Sequence, residues 1–333
     1  MNVTRREFVT TALAAAGGAA LGRGAFAAWR PATRAETYFD WKKAADGVHV
    51  AFGEGGNTMV VLAADAALLV DCKNAPFGQA LRREATGLGA KLSLVVNTHH
   101  HADHTGGNTA FTNDLIVTAH EKARPRVLAQ TERYLGMIKN GVATVAKSTS
   151  PAAPQVLEDA KALAERVASI RPEDFAPTRT VGDHEELEVG GVTIATHHFG
   201  PGHTDNDLAV HLPKLNVIHA GDLLFHRMYP FWDADGGVSG PGWIKSLEGV
   251  RDLCNATTVV VPGHGELTDR AGVQAAIDVH QKIRDLAAAA VEAKVPREEF
   301  IKTNLVEFAE FGRTMAKPRV FGGWYDHASR SGG

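Results

Sequence analysis

The rhythm of hydrophobic and polar positions changes several times along the chain. Between residues 47 and 71, Val48, Val50 and Phe52 alternate with other residues. A Gly-Gly-Asn turn follows, and then Met59 to Leu62 and Ala67 to Val70 form apolar runs of strand length. A period of two marks a half-buried strand, and a short unbroken apolar run marks a fully buried one. Leu92 to Val96 is such a run, and it stops at Asn97-Thr98. Residues 76–87 and 106–112 are predicted to be helical, the second opened by Gly106-Gly107-Asn108. From about 120 to 175 the composition turns helical, interrupted by a loop that Pro151 and Pro154 mark. Beyond it Val156, Ala160, Leu163, Val167 and Ile170 fall at spacings of four, three, four and three. That predicts one apolar stripe on a single helix. Strands are predicted again at 186–189, 192–196, 208–211, 217–220 and 258–261, with helices over much of 244–255 and 270–293. Strands alternating with helices, many of them hairpin-like pairs, predict helices packed outside stacked sheets. No solenoid repeat and no linker divides residues 28–333.

The first 27 residues stand apart. Thr4-Arg5-Arg6-Glu7-Phe8-Val9 resembles the twin-arginine export signal of bacteria, and a weakly apolar stretch from Thr11 to Leu21 follows it. That stretch is too short to span a bilayer. Ala25-Phe26-Ala27 offers small residues at both positions of a cleavage site. The expectation is a signal peptide over 1–27 and one domain over 28–333, with a helical insertion at about 120–175 and a helical tail from about 270. The partner implied is the twin-arginine export machinery, which such signals engage to carry folded, cofactor-loaded chains. The destination is the periplasm, with no stable membrane insertion after cleavage. An ordinary amphipathic helix is the alternative reading of the same residues.

Composition narrows the function classes. Hydrophobic residues make up 44% and charged residues 22%, enough for a sizeable core without disulfides. The formal net charge of -3 gives no basic surplus, so nucleic acid is not an expected partner. The two cysteines, Cys72 and Cys254, read as small buried apolar residues, with a disulfide as the alternative. The 16 histidines direct attention to clusters, because histidine is the commonest metal ligand.

The densest cluster is Thr98-His99-His100-His101-Ala102-Asp103-His104. In an extended loop residues two apart point to the same side, so His99 and His101 can share one ion. Asp103 and His104 come where the chain should turn into a helix and can aim at a neighbouring ion. Imidazole nitrogen and carboxylate oxygen are ligands that zinc accepts. Three further candidates each sit at a strand end beside glycine: His203 in Gly-Pro-Gly-His-Thr, Asp222 in Ala-Gly-Asp-Leu, and His264 in Pro-Gly-His-Gly. His100 should point away from its neighbours. His197, His198, His211 and His219 read as core or supporting groups.

In content, order and spacing these motifs resemble the metallo-β-lactamase superfamily, over roughly residues 47–268. The resemblance implies an α/β fold, an αββα four-layer sandwich with metals at one edge of the two sheets. It implies that His99, His101 and His203 hold one ion, that Asp103, His104 and His264 hold a second, and that Asp222 bridges them. It also implies that Asp71, at a strand end, orients the histidine loop through hydrogen bonds. Two Zn2+ ions are the expected cofactors, with iron or manganese as alternatives. The expected activity is hydrolysis of a small-molecule ester, thioester, lactone or amide by a metal-bridging hydroxide, with Asp103 as the catalytic carboxylate that orients it and moves its proton. His101, where the diiron flavoprotein branch has glutamate, argues against that branch. Asp222 favours the glyoxalase II-like and lactonase-like branches. Two rival readings keep the same residues: a mononuclear iron persulfide dioxygenase using His99, His203 and Asp222, and an exported metal carrier or accessory protein without catalysis.

For the substrate, the run Phe225 to Asp233 offers aromatic residues close to a metal ligand. Arg227, Tyr229 and Trp232 are the expected substrate-binding residues, a packed loop being the alternative. The insertion at 120–175 reads as a lid, an oligomer contact or an outer layer. The aromatic tail beyond 295 reads as docking near the site or joining a homodimer.

Overall fold

A computed structural model describes residues 37–331. The twin-arginine-like start and its cleavage site lie outside the described residues. Seven strands follow one another across the first sheet in chain order: β1 (Asp40–Ala45), β2 (Val48–Phe52), β3 (Thr58–Leu62), β4 (Ala67–Val70), β5 (Leu92–Val96), β6 (Ile116–His120) and β7 (Arg179–Val181). Pairing is antiparallel from β1 to β4 and parallel from β4 to β7. The second sheet holds β8 (His184–Val189), β9 (Val192–His197), β10 (Ala209–Leu212), β11 (Val217–Phe225) and β12 (Val259–His264). Its spatial order is β12-β11-β10-β9-β8, with only β11 and β12 parallel.

Side-chain alternation builds the layers. Met59, Val61, Leu68 and Val70 of the first sheet pack against Ile194, Val210 and Val217 of the second. Their neighbours Val60 and Leu69 face the other way, toward α1 (Gly78–Gly87) and the insertion helices. A one-residue slip of either strand would exchange the two faces. After α2 (Ala102–Thr105), the insertion contributes α3 (Ala123–Ala129), α4 (Thr131–Val145) and α5 (Ala153–Glu165). These helices have a small core of their own around Val127, Tyr134, Leu163 and Phe175. On the opposite side, α6 (Gly240–Leu253), α7 (Arg270–Glu292), the short α8 (Arg297–Phe300) and α9 (Lys317–Ser331) cover the second sheet. Trp243, Ile277 and Trp324 are buried there with Ile218 and Val260. Truncating an aromatic so placed costs roughly 3–5 kcal/mol. The layers are therefore helix, sheet, sheet, helix, the architecture the sequence predicted.

Two local expectations need correction, and one alternative falls. The stripe from Val156 to Ile170 is not one helix: α5 ends at Glu165, and Val167–Ser169 form a single 3-10 turn. The backbone leaves the helix at Arg166, well before Pro172 holds Arg171 extended, although Val167 and Ile170 still pack on the insertion core. Residues 106–112 form α2's continuation as a 3-10 turn, Gly106–Ala110. There the chain passes so close to Cys72 that a Cβ on Gly107 would stand 2.0 Å from the Cys72 carbonyl oxygen. Cys72 and Cys254 are free thiols buried in separate apolar clusters, so the disulfide alternative falls.

Candidate metal centre

The candidate ligands come from strand ends, the segments that follow them, and one kink within a strand. The turn after β5 delivers His99 and His101, and α2 delivers Asp103 and His104. The loop after β9 carries His203, a kink inside β11 at Gly221 (φ +53°) carries Asp222, and β12 ends on His264. Glycine is required for this convergence. A Cβ on Gly263 would fall 2.0 Å from Asp222 Oδ1, and one on Gly56 would fall 2.1 Å from His104 Cε1.

The seven side chains form two groups. His99, His101, His203 and Asp222 offer donor atoms within 4.8 Å of one another, and Asp103, His104 and His264 do the same. Asp222 stands between them and divides its carboxylate. Oδ2 lies 3.8 Å from His99 Nε2 and 3.5 Å from His203 Nε2. Oδ1 lies 3.2 Å from His104 Nε2 and 3.5 Å from His264 Nε2. His203 Nε2 is 3.1 Å from His101 Nδ1, and Asp103 Oδ2 is 3.2 Å from His264 Nε2. Donors bonded to a tetrahedral zinc ion sit about 3.3 Å apart, given bonds of about 2.0 Å. His99 Nε2, His104 Nε2 and Asp222 Oδ1 are buried with no hydrogen-bond partner. Orphaned buried groups of this kind are costly, and cations at these two points would satisfy all three. The donors therefore fit a pair of divalent metal ions.

Supporting residues aim the ring. Asp71, fully buried, accepts from the Thr98 N–H and from Thr98 Oγ1, both at 2.8 Å, and from His104 Nδ1 at 2.7 Å. Thr98 Oγ1 in turn lies 3.0 Å from His99 Nδ1. His101 has its Nε2 end 2.8 Å from Asp233 Oδ2, which leaves Nδ1 turned toward His203. Carboxylates behind ligating histidines fix the tautomer and the ring angle. Asn57 donates from Nδ2 to the carbonyls of Pro262 and Gly265, which pins the His264 turn to the first sheet. Asp207 accepts from the Thr204 N–H and Oγ1 and fixes the His203 loop.

Protonation follows from burial and charge. Burial pushes His203 down to about 3, and it pushes His99 down as well, reinforced by His104 and His101. Burial also opposes charge on His104, but Asp222, Asp71 and Asp103 outweigh it and hold His104 high. Asp222 is buried and Asp103 half-buried; burial works against their charge, yet the facing histidines keep both carboxyls well below the usual carboxylate range. Without an ion, the second group thus keeps its charge by pairing carboxylates with imidazolium.

The family description "Metallo-beta-lactamase superfamily" matches residues 51–264, from β2 to the last histidine of the ring. The chain belongs to the metallo-beta-lactamase superfamily. A type 2 metallo-beta-lactamase of Bacillus cereus is 30% identical over 84 residues, 25% of this chain and 33% of that protein. An acyl-coenzyme A thioesterase of Bos taurus is 23% identical over 173 residues, 51% of this chain and 55% of that one. The chain spans 33% to 40% of the length of the first curated relatives it matches. Among solved structures, a metallo-beta-lactamase from Pontibacter korlensis superposes with a TM-score of 0.54 at 17% identity, covering 73% of this chain and 99% of that one. At that identity the likeness speaks for the fold.

Within this superfamily fold, a cavity of about 650 Å3 opens over the ring. Its floor is His101, Asp103 and Asp222, and Phe231 stands in its wall. The expected substrate-binding residues are elsewhere. Arg227 takes a left-handed backbone (φ +55°) that turns the chain away, and its guanidinium pairs with Glu310 at 3.0 Å. Tyr229 and Trp232 are buried in the core of the second sheet, Tyr229 against Phe311 and Trp232 against Trp324. None of the three lines the cavity. His100 turns toward Asn206, with Nδ1 2.9 Å from its Nδ2. His219 Nε2 meets the Asn57 carbonyl oxygen at 3.1 Å. Asp233 belonged to the run noticed in the sequence, but nothing in its spacing marked it as the partner of a histidine 132 residues away. The cavity's cations, Arg133, Arg313 and Arg319, left no sequence signal at all.

Proposed function

We propose that the seven-residue ring holds two divalent metal ions, zinc by its donor chemistry, and that the protein hydrolyses an ester, thioester, lactone or amide of a small molecule. One observation carries this: the two oxygens of Asp222 are shared between two separate histidine groups. When bound, such ions lower the pKa of water to about 7 and polarise a carbonyl oxygen. Asp103 faces the second group and lines the cavity without being shared with the first group, so it is placed to orient a nucleophile and carry its proton away. Asp71 and Asp233 hold the histidine rings so that the donor atoms need not reorganise. Phe231 narrows the cavity wall against bulk water. The thioesterase and lactamase among the relatives support acyl-bond hydrolysis.

Metal analysis joined to a hydrolysis panel tests this. The purified protein should carry two equivalents of metal and turn over at least one ester, thioester, lactone or β-lactam. Asp222→Ala should lose metal and turnover together. Full metal content and full turnover in that variant would end the proposal. One bound iron, with oxygen uptake on glutathione persulfide, would replace hydrolysis by dioxygenation. The same proposal makes residues 1–27 a twin-arginine signal and the periplasm the working compartment, on the strength of Arg5-Arg6 and Ala25-Phe26-Ala27. N-terminal sequencing of protein from a periplasmic extract should then read Ala28 first, and a retained start would remove that part.

A further inference from the structure

Three arginines reach the cavity over the metal ring from elements on two sides of the chain. Arg133 comes from α4 in the insertion, Arg313 from the segment ahead of α9, and Arg319 from the first turn of α9. Arg313 and Arg319 lie beyond the matched superfamily region. Elsewhere arginine tends to be paired, as in Arg82–Asp114, Arg126–Asp205 and Arg297–Asp326. Among the described residues these three have no carboxylate within 4.0 Å. Arg133 meets only the Gln130 amide oxygen, at 3.4 Å. Arg313 Nη2 stands 3.3 Å from each ring nitrogen of His264, with the guanidinium over Phe225. Arg319 lies over the Phe231 ring, 4.9 Å from its centroid. A second cavity of about 570 Å3 shares His101, Arg133, Phe231 and Arg319 with the first, so two of the cations stand where the two spaces meet. The remaining wall is apolar at its lip, where Met315 is 91% exposed.

All three are exposed at the cavity, and an arginine there that lacks an acid in its own protein is placed to receive one from a ligand. We infer that the substrate is an acyl compound with a second, anionic end, a carboxylate or a phosphate, which Arg313 and Arg319 grip with help from Arg133 while the scissile carbonyl lies over the metal ring. This rests on the hydrolase reading for the carbonyl but not for the anion. Guanidinium forks bind both oxyanions bidentately, and lysine does not reproduce that geometry. The three side chains are thus specificity-determining residues.

The test has a binding arm and a turnover arm. Glutarate, inorganic phosphate and neutral glutaramide are titrated calorimetrically into metal-loaded and chelator-treated protein. At least one anion should bind both forms, glutaramide neither, and Arg319→Gln and Arg313→Gln should each weaken the anion about tenfold. Arg319→Lys should restore only part of the loss, and Arg284→Gln, a remote ion-paired surface residue, none of it. Glutarate alone, or phosphate alone, identifies the anion. In the second arm, 4-nitrophenyl hydrogen glutarate is compared with 4-nitrophenyl butyrate. The anionic ester should be preferred, and the glutamine variants should lose the preference. Anion binding that vanishes on chelation and ignores the arginine variants would overturn the inference. If neither ester is cleaved yet the binding arm holds, the hydrolase reading falls and the anion site stands. If both are cleaved equally by every variant, the reverse is true.

Discussion

Asp233 and Asp207 both act on the ring through a neighbour. Asp233 grips the outer nitrogen of His101; burial works against its charge, but the bond to His101 and the neighbouring imidazoles prevail and hold its carboxyl low. Asp233→Asn removes that charge while keeping the shape. Zinc affinity, read by competition with a chromophoric chelator, should fall about 10- to 100-fold. Unchanged affinity would show that Asp233 does not steer His101. Asp207 is the opposite case. Burial pushes it up to about 8, against its bonds from Thr204. In the unfolded chain it would lose its proton near pH 3.9, roughly. Between those values the folded state holds more protons than the unfolded state, so this group makes stability fall as pH rises, by up to about 1.4 kcal/mol per unit. Asp207→Asn should flatten that slope. Urea melts of both proteins at pH 5 and pH 7.5 measure it, and equal slopes would refute it.

At the scale of elements, legibility tracked how local the cause was. β2 to β5 and the apolar parts of β8 to β12 were visible because they alternate or run apolar, although β8 starts before residue 186 and β11 runs on past 220 to Phe225. β1 was missed because Asp-Trp-Lys-Lys-Ala-Ala has no alternation; it is a half-buried edge strand held by pairing with β2. β7 is only three residues long, two of them exposed, and pairing with β6 defines it. The end of α5 was misplaced because five apolar residues keep helical spacing past Arg166, where the backbone leaves the helix. The ring itself was readable because four of its members crowd into residues 99–104 and the other three, His203, Asp222 and His264, each sit beside glycine. The arginines were not, because the side from which the tail approaches the cavity is a long-range outcome. The expected Arg227, Tyr229 and Trp232 failed for a related reason: nearness in sequence to Asp222 says nothing about which way a chain with one left-handed residue will turn.

For the molecule as a whole, the ring draws on both sheets. His99, Asp103 and His104 follow β5 of the first, while His203, Asp222 and His264 belong to the second. Elsewhere the contact between the sheets is mainly apolar side chain, which resists separation without direction. At the ring, charged and polar groups of opposite walls meet instead. Ions seated there would act as rivets along a seam. Stripping them should leave the greasy interior shut while that one rim gapes, so amides flanking Thr98, Asp222 and His264 should exchange faster with deuterium, and those of Val60 and Ile218 should not.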